Sequence, residues 1–324
     1  MVFFSYIRMH KLLTLPKPSA KQTWQQLHGS SLMLAIVEYA KTYPGVYLCL
    51  APDNQTALRL YDELPFFLDK DCSIESLFFP DWETLPYDTF SPHQDIISTR
   101  LTTLNRLQLA KNAIVITSVS TLMHRLCPPQ FLTRFSCMLR LNQTLNIQDF
   151  RLNLTNAGYF HVENVLEHGE YALRGAIIDV FPMGSAYPFR IELFDDEIDS
   201  LRQFDPETQR TINKLQQINI LPAREFPLDE AGIALFRQQY RTMFPGNPTQ
   251  SVLYEAISQQ QLPNGIEYYL PLFFEQTATL LDYLPPAATV YAIENIHDKS
   301  TQFWQEIMQR FEQKRYDITR PLLA

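Results

Sequence analysis

Hydrophobic and polar positions alternate with a period of two along YALRGAIIDVFPMGSAYPFRIELFDDEIDSLRQF, the run from Tyr171 to Phe204, which predicts short paired strands. Successive strand residues point to opposite faces, so Phe189, Ile191 and Leu193 share one face, and Arg190, Glu192 and Phe194 share the other. Phe194 is thereby placed among polar neighbours. Asp195-Asp196 supplies a turn, and Ile198, Leu201 and Phe204 restart an apolar pattern that returns beside the first strand as a hairpin. Strands that turn arginine and phenylalanine outward have the profile of a docking surface. The same pattern also fits an ordinary half-buried sheet whose last phenylalanine folds over an edge.

Ahead of this run, helix and buried strand alternate. Residues 30–40 suit a helix, 45–50 a buried strand, and 54–64 a helix with Ala57, Leu58, Leu60, Tyr61 and Leu64 on its apolar face. A short strand over 76–79, a helix over 98–109 and the strand AIVIT at 113–117 continue an α/β fold with a parallel sheet. A further helix is expected over 119–126. After Pro128-Pro129 the texture changes: 136–141, a helix over 147–157 and the strands above read as a compact α+β insert. From Leu221 the chain is helix-rich again, divided by prolines at 222, 227, 245, 248, 263, 271, 285 and 286. Residues 289–293 read as a strand. Asp298 is expected to cap a last helix to about residue 313, with Phe303, Ile307 and Phe311 as a core-facing stripe.

The 324 residues suffice for two domains of ordinary size. A formal charge of −8 argues against a chain devoted to neutralising nucleic-acid phosphates. Cys49, Cys72, Cys127 and Cys137 lie far apart without CxxC spacing, so reduced thiols are expected rather than zinc or a disulfide framework. The opening MVFFSYIRMHKLL is apolar but short and is interrupted by Arg8, His10 and Lys11, so no membrane segment is expected. A cytoplasmic monomer follows, with Met9 as a second candidate start.

Candidate chemistry is sparse. Where a phosphate-binding loop would precede the first helix stands Leu27-His28-Gly29-Ser30-Ser31-Leu32, and no Gly-Lys-Ser/Thr occurs anywhere in the chain. Nine glycines, against roughly 23 at average usage, leave few flexible loops of any kind. His161, Glu163, Glu167 and His168 match no zinc spacing. Asp195, Asp196, Glu197 and Asp199 lack the ligand spacing and glycine of a calcium loop and read as a solvated hairpin. No GxSxG elbow is present. No catalytic residue, cofactor or metal is expected.

The run from Pro80 to Ser98, PDWETLPYDTFSPHQDIIS, resembles the N-terminal region of the bacterial transcription-repair coupling factors (Mfd). EHGEYALRGA from Glu167, FPMGS from Phe181 and FDDEIDSLR from Phe194 resemble the same family, and the similarity spans nearly the whole chain. The resemblance implies a module similar to the excision-nuclease subunit UvrB. Its RecA-like domain 1, here degenerate, is split in sequence (residues 1–131 and 219–324) around an inserted α+β domain 2 (residues 132–218). It implies a non-catalytic adaptor that binds UvrA through domain 2 and recruits nucleotide excision repair to stalled RNA polymerase. ATP, Mg, DNA and polymerase would be handled by other domains, and the C-terminal part of the full protein would mask the same surface intramolecularly. The positions matching the family's UvrA-contacting residues are Arg174, Arg190 and Phe194. Two departures from UvrB itself stand out: the ATP-binding lysine motif is absent, and residues 79–98 lack a tyrosine-rich DNA hairpin. UvrB also carries Arg-x-Arg where this chain has Ala172-Leu173-Arg174. The alternative class is a degenerate nucleotide hydrolase or an acid-dependent nuclease.

Overall fold

A computed structural model describes residues 21–69 and 71–323; Met9 and the apolar opening run lie outside the described residues. The chain begins with α1 (Ser31–Thr42), β1 (Val46–Ala51), α2 (Asn54–Phe67), β2 (Glu75–Phe78), α3 (Gln94–Leu107), β3 (Ala113–Ser118), α4 (Val119–Leu122) and α5 (Pro129–Phe135). There follow β4 (Cys137–Arg140), α6 (Ile147–Asn156), β5 (Phe160–His161), β6 (Glu170–Arg174), β7 (Ile177–Val180), β8 (Phe189–Phe194), β9 (Glu197–Phe204), β10 (Thr211–Leu215) and β11 (Gln217–Ile220). The last segments are α7 (Glu230–Met243), α8 (Val252–Ser258), β12 (Thr289–Ala292) and α9 (Ile296–Lys314), with short 3-10 turns between α8 and β12.

The mixed α/β expectation holds. Parallel strands stack in the order β12-β1-β3-β2. β1 and β3 are buried along their whole length because both faces are covered, which is why they read as continuous apolar runs. Val46 and Leu48 enter one core, while Tyr47 and Cys49 enter another with Met33, Ile36, Leu60 and Leu64 of α1 and α2. Asp53 caps α2 by accepting from the Thr56 amide at 2.8 Å.

Several boundaries differ from the sequence expectation. α3 starts at Gln94 rather than 98, because the His93 ring accepts from the Asp95 amide and caps it earlier. The helix expected over 119–126 is a single turn. Its chain then straightens so that Leu126 bridges Ala278, and α5 restarts with Pro129 in its first turn, where proline lacks no needed bond. α9 begins at Ile296 behind Asn295 at φ +67°, so Asp298 lies in the first turn instead of capping it. Its Phe303, Ile307 and Phe311 stripe is half-buried and no α9 residue is buried, so the stripe is a partly covered surface contact rather than core.

β4 and β11 pair antiparallel, with Cys137 opposite Ile220 and Leu139 opposite Ile218, so the chain leaves and returns side by side. Between them β10-β9-β8-β7-β6-β5 form a sheet that is antiparallel except for the β5–β6 pair. Phe150 and Leu154 of α6 join Ile178, Ile191 and Leu201 in a core that runs on to Leu101 and Leu104 of α3. The returning segment 221–229 is buried throughout. Its Glu225 accepts from Arg100 Nε and Trp82 Nε1, each at 2.9 Å. No helix among the described residues is long and apolar enough to cross a membrane.

Candidate protein-docking site

The antiparallel sheet buries one face and exposes the other. Tyr171, Ile178, Val180, Ile191 and Leu201 fill the packed side. On the open side Asp179 of β7 lies opposite Arg190 of β8, which lies opposite Arg202 of β9, while Glu192 lies opposite Ser200. Arg174 ends β6 opposite Ile177, one step diagonal to Asp179. The Gly175-Ala176 turn between β6 and β7 needs glycine for its backbone: Gly175 sits at φ +63° with open space around it.

A buried carboxylate joins the two arginines. Asp179, 1% exposed, accepts from Arg174 Nη2 at 2.9 Å, from Arg190 Nε at 2.7 Å and from Arg190 Nη2 at 2.8 Å. Arg190 Nη2 also donates to Gln209 Oε1 at 2.9 Å, and its guanidinium lies 4.5 Å over the Phe204 ring. Hydrogen bonding to Asp179 raises the Arg190 pKa further above its ordinary value. The side chains of Arg190 and Arg174 are 19% and 48% exposed. Arg190 is therefore a brace, and Arg174 presents its fork to solvent.

Phe194, four residues beyond Arg190 and so about 13 Å along the strand, is 75% exposed. Between them Ser200 Oγ donates to Glu192 Oε2 at 2.8 Å, and Arg202 Nη2 donates to the same oxygen. The hairpin end that carries Phe194 is fixed from the side: the Leu145 amide donates to Asp196 O at 2.7 Å and Asp195 takes φ +54°. The β8 register keeps Arg190 and Phe194 off the packed side, as alternation indicated, and Arg174 ends the neighbouring strand but one. Alternation passed over Asp179, Gln209 and Phe204. An aspartate within the apolar stretch IIDV was the available signal. Ala172, where UvrB carries its second arginine, is buried with Val165 and Phe181.

The other candidates fall elsewhere. His168 Nδ1 pairs with Asp95 Oδ1 and Nε2 with Ser185 O, both at 2.8 Å, so its ring ties the antiparallel sheet to α3. At Leu27–Leu32, Ser31 Oγ donates to His28 O at 2.7 Å, and no side chain caps α1. A cleft of about 260 Å³ lies beyond the carboxyl ends of β1 and β3, lined by Asp53, Asp81, His124, Lys299 and Phe303 among others. The His124 ring lies tilted against Trp82, 4.8 Å between ring centres, with Nδ1 buried and unpaired; burial, with Arg100 second, depresses its pKa to about 4.

A sequence model described as the UvrB interaction domain matches residues 137–226, which contain the whole open face. The transcription-repair-coupling factor of Haemophilus influenzae is 49% identical over 292 residues, 90% of this chain and 25% of that protein. That of Escherichia coli is 44% identical over 312 residues, 96% of this chain and 27% of that protein. That of Bacillus subtilis is 29% identical over 268 residues, 77% of this chain and 22% of that protein. The chain spans about a quarter of the length of these curated relatives. A UvrB interaction domain set in a chain matched over most of its length to these proteins identifies it with the N-terminal, UvrB-homologous region of the transcription-repair-coupling factors.

Proposed function

We propose that this chain is a non-catalytic adaptor that binds UvrA through the open face of its antiparallel sheet and so brings nucleotide excision repair to RNA polymerase stalled at DNA damage. The observation that carries the reading is the pairing of a half-exposed Arg174 with a largely exposed Phe194 on one rigid face inside the matched segment 137–226. Arginine and aromatic side chains are the commonest interface anchors. The base is a degenerate RecA-like domain in two pieces, residues 1–131 and 219–324, and residues 132–218 are the insert. The β4–β11 pair at the insert's neck supports that division. Polymerase, DNA, ATP and Mg belong to the rest of the full protein, whose C-terminal part masks the same face until UvrA is needed.

Calorimetric titration of the chain with purified UvrA tests the reading. Wild type is expected to bind without nucleotide hydrolysis, and Arg174→Ala to bind about thirtyfold more weakly, about 2 kcal/mol, with unchanged circular dichroism. No binding by the folded wild type overturns it.

A further inference from the structure

The open face contains an imbalance that suggests what it takes. Two guanidinium groups share a single buried carboxylate, so Arg174, Arg190 and Asp179 together hold one unneutralised positive charge. Arg190 offers little of it outward, because Nε and Nη2 are committed to Asp179 and Gln209, its guanidinium lies over Phe204 and its side chain is 19% exposed. Arg174 gives Asp179 one bond, from Nη2. The Arg174 side chain is 48% exposed, which leaves the rest of the planar fork within reach of a partner. An unsupported arginine at a hairpin tip would sample many rotamers and would have to be ordered on binding. This one is ordered in advance by a carboxylate that is itself braced.

We infer that Asp179 is the positioning residue of the docking face: it holds Arg174 so that the outer edge of its guanidinium receives a carboxylate side chain of the partner. The inference rests on the docking reading above. The partner's carboxylate closes the charge balance, two positive against two negative, and takes a paired hydrogen bond from a fork whose geometry matches it. Asp179 itself is too deep to meet the partner. Its contribution is the orientation of Arg174, with Arg190 and Gln209 keeping the carboxylate from turning away.

Asp179→Asn keeps the shape and removes the charge. Calorimetry with UvrA is expected to show about tenfold weaker binding for this variant, folding being checked by circular dichroism. In an Arg174→Ala background the same change should cost less than about threefold, since the side chain it positions is already gone. A purely structural role would lower affinity equally in both backgrounds, and that result overturns the inference. So does a folded Asp179→Asn chain that binds within about twofold of wild type. Absence of wild-type binding removes the docking reading itself, a distinguishable failure. Nitrogen-15 spectra of arginine-labelled wild-type chain need no variant. Separate Nη signals for Arg174 as well as Arg190 are expected from a held fork, and averaged signals for Arg174, as in a solvated side chain, overturn the positioning role even where Asp179→Asn fails to fold.

Discussion

Replacing Glu225 with alanine should destabilise the protein by about 3–5 kcal/mol, the cost of leaving one partner of a buried ion pair uncompensated. Arg100 and Glu225 are 0% and 1% exposed at the side chain, so neither charge can recover its hydration by a small shift. Arg100 is also pinned: Nη1 donates to Pro80 O at 2.8 Å, and its guanidinium lies 4.3 Å from the Phe79 ring and 5.1 Å from Trp82. Its Nη2 is already buried without a partner, so losing Glu225 leaves Nε in the same condition and orphans the Trp82 N–H. Set against a typical total stability of about 5–15 kcal/mol, this is a large fraction. Converting Arg100 and Glu225 together to methionine should cost far less. Apolar replacement of a whole buried pair runs from neutral to about 4 kcal/mol stabilising, and the orphaned indole N–H returns about 1–3 kcal/mol of cost. The assay is urea unfolding at pH 7 for Glu225→Ala and for the four corners of the Arg100→Met, Glu225→Met cycle, followed by tryptophan fluorescence and circular dichroism. A Glu225→Ala cost under about 1 kcal/mol, or single methionine costs that simply add in the double methionine variant, would refute the reasoning.

Two further outcomes can be checked directly. His124 has an ordinary value of 6.5 and a folded value of about 4, set by burial. Stability is therefore fully present above pH 6.5 and falls by about 3 kcal/mol as pH drops toward 4, because the unfolded chain binds a proton that the folded chain excludes. His124→Phe should remove that part of the slope in urea midpoints measured from pH 7 to 4; an unchanged slope would count against it. Phe194→Ala, at a side chain 75% exposed, should shift stability by no more than about 0.5 kcal/mol. It should weaken UvrA binding by about thirtyfold in calorimetry, and equal affinity would remove Phe194 from the interface.

The parts of the fold legible in the sequence are those where one periodicity dominates. β1 and β3 sit between two cores and so carry unbroken apolar runs; β8 has one wet face and alternates cleanly. Helix ends were less legible because they depend on specific bonds. His93 is a rare cap whose ring reaches the Asp95 amide, and propensity alone favoured a start nearer Ser98. Ser98 instead lies within α3, where its hydroxyl accepts from the Gly184 amide at 2.8 Å and so serves the contact with the antiparallel sheet. The α9 stripe shows the limit of periodicity: spacing establishes that Phe303, Ile307 and Phe311 share a face, but depth of burial is decided by what lies opposite. There the open cleft leaves Phe303 only partly covered, and Phe311 meets Tyr87 at 5.8 Å between ring centres.

The docking face divides in the same way, and the division has a physical meaning. Residues that are to meet a partner must stand out from the sheet, and strand alternation separates such positions from the core: Arg190 and Phe194 lie on the face of β8 opposite Ile191. Alternation cannot say which of the two arginines is held and which stands out, because that depends on a third group on the strand between them. Asp179 shares their face yet is 1% exposed, with the guanidinium groups of both arginines bonded to its carboxylate and Gln209 bonded in turn to Arg190. In one dimension it is a lone polar residue in IIDV, a signal that something is buried there but not of what it bonds. In three it makes Arg190 a brace and leaves Arg174 the more exposed of the two, the one proposed above as an anchor. Truncating each arginine should therefore fail differently. Losing Arg174 leaves Asp179 satisfied by Arg190, whereas losing Arg190 takes two of the three bonds from a buried carboxylate and uncovers Phe204. Binding measured without unfolding data would score both arginines alike, and only the stability difference separates an anchor from its support.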